Sequence, residues 1–372
     1  MLERGRELIR ASMPLPIDPT PYPITPDEAM DTVWHLEWTH GAFDLHAAGG
    51  MLGGVALQQG NRTIRPFYEA PWIGRAEPQP SGLLGVMRSE FPCVPFGVPY
   101  SPDQLPAGWR ETAATPSTPH DAARDASDDL QHGYGCTGTW SLVRRTPHEI
   151  EIGIEYPETS AIARLTRIVR ADPACAALDI TLRIEARRSI PLPVGLHPNL
   201  ALPTLTGAFR IEPGTYRFGM VHPAGPEPGV STALAGATFE TLESVPLAAG
   251  GVGAFDRLPL AQSTEEILQL CGIDGSVTMN DTATGTRYRL TWDADALPSL
   301  LLWISNRGRA YAPWNGRNLC VGIEPVASAF ELGRAISLGP NPINSRGVRT
   351  ALALNPDTPT EIAYRFEVLA EN

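Results

Sequence analysis

Three short stretches of this 372-residue chain place titratable side chains where proton chemistry is possible. In PLPVGLHPNLALP, His197 precedes Pro198. Proline cannot donate to a sheet ladder, so a strand there is an edge, an end or a bulge. A polar side chain at such a break can face a cleft; a satisfied histidine in a turn is the plainer reading. In LQHGYGCTGTW, Gly133, Gly135 and Gly138 surround His132 and let the backbone approach a ligand or another strand. In NLCVGIEPVAS, Glu324 stands among Val321, Ile323 and Val326. Burial there raises a carboxyl pKa toward the range useful for proton transfer. The alternative is a structural carboxylate paired with Arg307, Arg309 or Arg317. Just upstream, Tyr311, Trp314, Asn315 and Arg317 combine stacking and hydrogen-bonding groups, the mixture a sugar site needs. His35, His40, His46, His120, His148 and His222 read as structural or surface residues.

Composition removes whole classes of chemistry. The chain has no lysine, so its 29 basic residues are all arginine. Schiff-base aldolases, pyridoxal-phosphate enzymes, P-loop NTPases and protein kinases all need a lysine amine, and a guanidinium does not replace it. A formal net charge of −12 argues against nucleic acid as a partner. The five cysteines (Cys93, Cys136, Cys175, Cys271 and Cys320) are widely spaced and form no CxxC pair. Neither a zinc site nor a disulfide framework is expected, and a reducing compartment is. The sequence shows no signal-peptide pattern and no apolar run of membrane-spanning length, so a cytoplasmic protein without a membrane partner is predicted.

The elements that must position these residues read as strands. The chain has 37 Pro and 35 Gly, about a fifth of the total, with 42 % hydrophobic residues. Such a composition opposes a helical bundle and suits many short strands joined by turns. HEIEIGIEY alternates with period two, and ARLTRIVRA and ALDITLRIEAR do likewise, predicting an antiparallel meander. Strands are also expected in the Trp34–Leu57 region and at Arg62–Tyr68, Gly138–Arg145, Val194–Leu202, Phe209–Val221, Ser276–Asn280, Thr286–Trp292, Ser299–Ser305, Leu319–Val326 and Ile362–Leu369. Thr264–Leu270 (TEEILQL) reads as a short helix with Thr264 as its N-cap. Residues 1–30 form a proline-rich arm, residues 31–372 one all-β sandwich domain with few short helices, and Ser101–Gln131 a long loop.

Taken in order, RSEFPCVPFG, QHGYGCTGTW, PVGLHPNLALP and CVGIEPVAS resemble the aldose 1-epimerase (galactose mutarotase-like) superfamily. The three candidate residues fall 65 and 127 residues apart within that pattern, and FDRLPLAQSTEEILQLCGIDG adds weaker support. The resemblance spans nearly the whole chain. It implies a large antiparallel β-sandwich and a cofactor-independent, metal-free enzyme that interconverts sugar anomers. Glu324 would be the general base, His197 the general acid, and His132 a hydrogen-bond donor to the opening ring. Arg88, with Arg75 as a rival, would hold a sugar hydroxyl; Asp256 and Asp274 are candidates for another.

Three alternatives accompany this reading. One is a non-catalytic carbohydrate-binding or sensing protein that uses the same cleft. Another is a sugar-phosphate 1-epimerase in which Arg307, Arg309 and Arg317 meet the phosphate. The third is a metal-dependent isomerase with His132, His197 and Glu324 as ligands.

Overall fold

The computed structural model describes residues 30–75, 79–98, 100, 104–109, 130–227 and 229–370. Almost all of the expected arm and most of the Ser101–Gln131 loop lie outside the described residues. Alternating apolar residues do build a meander. Glu149–Glu155, Ile162–Ala171 and Ala177–Ala186 pair in sequence within a nine-stranded antiparallel sheet, which continues through Thr360–Val368, Thr286–Trp292 and Ser276–Asp281. Ile150, Ile152, Leu165, Leu182 and Phe366 turn inward from it.

They meet one face of an eight-stranded antiparallel sheet whose central strands are Phe218–Val221, Thr264–Cys271, Ser299–Asn306 and Leu319–Ala327, in that spatial order. Leu268, Leu270, Leu300, Leu302, Val321 and Ile323 form its contribution to this core. A four-stranded sheet from Val33–Trp38, Gly41–His46, Leu52–Gln59 and Arg62–Ile64 closes one side. Helices among the described residues are short, such as Leu83–Val86 and Gly333–Leu338.

Side chains alternate across a strand, so the eight-stranded sheet has a second inner face. Ile267, Leu301, Trp303, Cys320 and Val326 point there, into a separate apolar cluster with Phe91, Phe96 and Phe330. Two cross-strand rows matter. Gln269 pairs with Leu301, and Leu301 with Glu324; Ile267 pairs with Trp303, and Trp303 with Gly322. The second apolar face is therefore where Glu324 lies.

Thr264–Leu270 departs from expectation. It is not a helix but part of the strand Thr264–Cys271, with all eight residues buried. Its polar residues, which suggested a solvated helix face, find tertiary partners instead. Glu266 accepts from the Thr232 amide at 2.6 Å and the Thr232 hydroxyl at 2.7 Å. Gln269 donates to the Ser328 carbonyl at 2.9 Å and accepts from the Phe330 amide at 2.7 Å.

Two expected strands are divided. Val194–Leu202 breaks at His197–Pro198 into Val194–Leu196 and Asn199–Ala201. Phe209–Val221 becomes Phe209–Pro213 in the nine-stranded sheet and Phe218–Val221 in the eight-stranded one.

Candidate functional site

The break at His197 is a consequence of its proline. Gly195 pairs with Val326 and Asn199 with Gly322, leaving His197 opposite Glu324. The His197 amide donates to the Phe91 carbonyl at 2.9 Å, and the Pro198 carbonyl accepts from the Ile323 amide at 2.8 Å. The backbone is thus satisfied on both sides while the imidazole turns toward the cavity. Its ring stacks on Phe91, centroids 4.5 Å apart and planes at 23°. Nε2 lies 3.4 Å from Oε1 of Glu324, with both side chains almost fully buried.

His132 arrives from the glycine-rich turn with left-handed backbone, φ 58°. Its amide donates to the Gly97 carbonyl at 2.9 Å, and its Nδ1 accepts from the Gly97 amide at 3.3 Å. In the neutral ring the proton consequently sits on Nε2. The His132 ring meets His197 edge-on, centroids 5.2 Å apart at 89°. The strain of a left-handed non-glycine residue is offset by this paired fixation to Gly97.

These three side chains line one cavity of about 220 Å³. That is below the roughly 300–1,000 Å³ of clefts for drug-sized ligands and suits one sugar ring. Leu301, Trp303 and Ile267 form its sheet-side floor, with Trp314 beside them. Trp314 packs edge-on to Trp303 at 6.1 Å and to Trp72 at 5.0 Å.

Electrostatics follow from the burial of these side chains. Burial drives the Glu324 carboxyl well above its ordinary pKa, and the neighbouring Glu331 charge adds to the effect. Burial lowers His132 to about 4, opposed by Glu331. His197 is also held well below its ordinary value, by burial first and by His132 second. A carboxyl and an imidazole within reach of each other, both biased toward neutrality, behave as a pair sharing one proton.

Of the remaining sequence candidates for a sugar contact, one lines the cavity and the others lie outside its lining. Of the Tyr311–Arg317 segment, Trp314 lines the cavity, while Asn315 is exposed and Arg317 donates to the Pro313 carbonyl at 3.2 Å. Arg75 is exposed and outside the cavity lining. Arg88, also outside it, donates to the Val86 carbonyl at 3.1 Å and lies near the charges of Glu69 and Asp44. Asp256 faces Arg257 and Arg210, at 3.4 Å and 3.9 Å. Asp274 accepts from the Thr215 amide at 2.8 Å and the Ser276 hydroxyl at 2.9 Å, holding the turn by which the chain changes sheets.

Among the other lining residues, Arg309 entered the sequence reading only as a phosphate contact or a partner for Glu324, and Glu331 and Trp303 were not picked out. Arg309 stands over Trp314, 4.8 Å from its ring centroid, and is held by Glu227 at 3.2 Å and Glu265 at 3.9 Å. Glu331 also lines the cavity, with His222 behind it at 3.2 Å. Glu331 carries the same signal as Glu324, an acid in an apolar run (SAFELG). Trp303, inside the apolar strand Ser299–Asn306, carried no comparable signal. Among the described residues no three His, Cys, Asp or Glu side chains are grouped to hold a metal ion.

Neither the protein-family models nor the curated proteins contain a match to this sequence. Solved structures do match. A provisionally assigned aldose 1-epimerase from Escherichia coli K12 is 16 % identical, with TM-score 0.60, over 91 % of this chain and 99 % of that one. A galactose mutarotase related enzyme from Lactobacillus acidophilus is 13 % identical, with TM-score 0.54, over 91 % and 98 %. A galactose mutarotase-like protein from Clostridium acetobutylicum is also 13 % identical, with TM-score 0.52, over 91 % and 95 %. The chain therefore has the galactose mutarotase-like β-sandwich fold. Among the described residues no helix is long and apolar enough to cross a membrane.

Proposed function

We propose that this protein is an aldose 1-epimerase acting on a neutral sugar. The observation that carries the reading is the meeting of His197 and Glu324, 3.4 Å apart, in a buried cavity of one-sugar size. Epimerisation at C1 needs one group to take the O1 proton and another to give a proton to the ring oxygen. Both oxygens belong to the same carbon, so the two groups must be neighbours, each within about 2.6–3.2 Å of its oxygen.

In the forward step Glu324 accepts the O1 proton as His197 protonates O5. The C1–O5 bond breaks and C1=O1 forms. The aldehyde turns about C1–C2, O5 attacks its other face, His197 recovers the O5 proton and Glu324 returns one to O1. Protons and bonds balance, and no oxidant or cofactor is consumed. Burial favours the neutral pair, with its proton on Glu324. Sugar hydroxyls that donate to the carboxylate favour the ionised pair that the forward step uses. In this reading His132, with its proton on Nε2, donates to the oxygen that gains charge as the ring opens.

A neutral substrate is favoured over a sugar phosphate by the cations. A phosphate site needs free, clustered positive charge. Arg307 and Arg317 are outside the cavity lining, and Arg309 is engaged by two carboxylates. Polarimetry on freshly dissolved α-aldoses tests the proposal. The protein should accelerate the approach to anomeric equilibrium, and Glu324→Gln or His197→Ala should lower that rate by about 10²–10⁴-fold. Full activity in both variants overturns it.

A further inference from the structure

Beyond the reacting pair, the cavity has a second histidine–glutamate pair. The strand Phe218–Val221 runs on to His222, whose amide donates to the Ile267 carbonyl at 2.9 Å. Met220 pairs with Gln269, so two residues on His222 falls on the same sheet face. His222 thus stands at one end of the row Ile267–Trp303–Gly322, and Glu324 lies beside its other end. Strands are about 4.8 Å apart, so roughly 14 Å of sheet separates the two, with Ile267, Leu301 and Trp303 as the floor between them.

Glu331 bridges from His222 into the cavity. Its Oε1 lies 3.2 Å from His222 Nε2, while its buried Oε2 has no hydrogen-bond partner among the described residues. The segment before it is clamped: Gln269 holds the Ser328 carbonyl and the Phe330 amide, and Phe330 is left-handed at φ 49°. Gln269 shares a cross-strand row with Glu324, so one sheet sets both acids. Glu331 lines the cavity with its side chain partly exposed, so it can offer an acceptor to a ligand hydroxyl there, and a buried carboxylate oxygen without a donor is costly. Burial alone would push Glu331 up; His222, its own backbone amide and His132 together outweigh burial and hold the group below its ordinary value, as an acceptor.

We propose that Glu331, fixed by His222, is the specificity residue that accepts hydrogen bonds from hydroxyls at the end of the sugar ring remote from the reacting carbon. The proposal rests on the cavity being a sugar site, and deepens that reading by assigning the substrate class. That class is an aldose with a free hydroxyl at C3 or C4 and no anionic group there, because a second negative charge would meet the Glu331 carboxylate at close range.

The test uses the full chain with D-glucose, D-galactose and their 3-deoxy and 4-deoxy analogues, measuring affinity by calorimetry and turnover by polarimetry. Glu331→Gln should weaken binding of the better parent sugar by about ten- to a hundredfold, the range for a hydrogen bond to a charged partner. One deoxy analogue should already be that much weaker and be insensitive to the substitution. Parent-like affinity in Glu331→Gln, or an equal loss for the parent and both analogues, overturns the assignment. Binding that depends on Glu331 without turnover in the unsubstituted protein supports the assignment and sinks the epimerase reading instead. No binding across the panel defeats both.

Discussion

At the residue scale, burial shifts Glu324 and His132 in opposite directions. Burial raises Glu324 well above its ordinary value. The folded protein then holds this proton more tightly than the unfolded chain does. The associated stability is complete below the ordinary carboxyl pKa of about 4.3 and is lost as pH rises through the folded value. Glu324→Gln removes that loss. Calorimetric melts between pH 4 and 8 should show the variant matching the parent near pH 4 and exceeding it by about 2 °C or more at pH 8. A variant that melts lower at pH 7 would mean that Glu324 is a stabilising ion-paired carboxylate, and would sink this account. His132, lowered to about 4, has the reverse window: its contribution is present above pH 6.5 and fades as pH falls to about 4. It is worth about 3 kcal/mol. Under the proposed mechanism activity and stability pull apart at Glu324, as they do when a protein holds a group in a costly state for chemistry.

At the element scale, the strand Leu319–Ala327 carries Glu324 and the glycine that makes room for it. A Cβ on Gly322 would stand 2.2 Å from Oε1 of Glu324 and 3.2 Å from the Trp303 Cβ. The backbone at Gly322 is ordinary for any residue, so the glycine answers to its neighbour rather than to a turn. Gly322→Ala should keep the fold, at a cost of about 1–3 kcal/mol for overpacking, while displacing the carboxylate. A misplacement of about 1 Å can cost 10²-fold, so polarimetric rates should fall by tenfold or more with unchanged circular dichroism. An unchanged rate would show that Glu324 adapts without loss of geometry. Legibility divides along the same elements. His197–Pro198 and Glu324 were readable because each breaks the pattern of its own strand. The strand Thr264–Cys271 was not, because Glu265, Glu266 and Gln269 look solvated until Ser305, Thr232 and Phe330 are known to meet them. Asp256 and Asp274 have a suitable type but serve local turns and arginines, and no local pattern distinguishes those uses from a ligand contact. Arg309 depends on Glu227, 82 residues away, and such distance is invisible to short motifs.

At the scale of the whole molecule, the cavity lies on the face of the eight-stranded sheet turned away from the nine-stranded one, so its geometry depends on how the two sheets are tied together. One tie is polar. Arg167, from the strand Ile162–Ala171 of the nine-stranded sheet, is fully buried and ion-paired with Glu90. Tyr364, on another strand of that sheet, donates to Glu90 at 2.7 Å, and Arg167 also donates to the Gly50 carbonyl. Glu90 is next in sequence to Phe91, against which His197 stacks. A buried pair contributes little net stability compared with apolar residues of the same shape, yet breaking one side leaves an uncompensated charge costing about 3–5 kcal/mol. Arg167→Met should lose that amount in urea denaturation. Adding Glu90→Gln removes the orphaned charge and keeps an acceptor for the Tyr364 hydroxyl, so the double variant should recover most of the loss. If the double variant is no more stable than the single one, the damage comes from lost packing and carbonyl contacts of Arg167, not from the charge on Glu90. A single variant as stable as the parent would dismiss the tie altogether and leave the two sheets held by their apolar core.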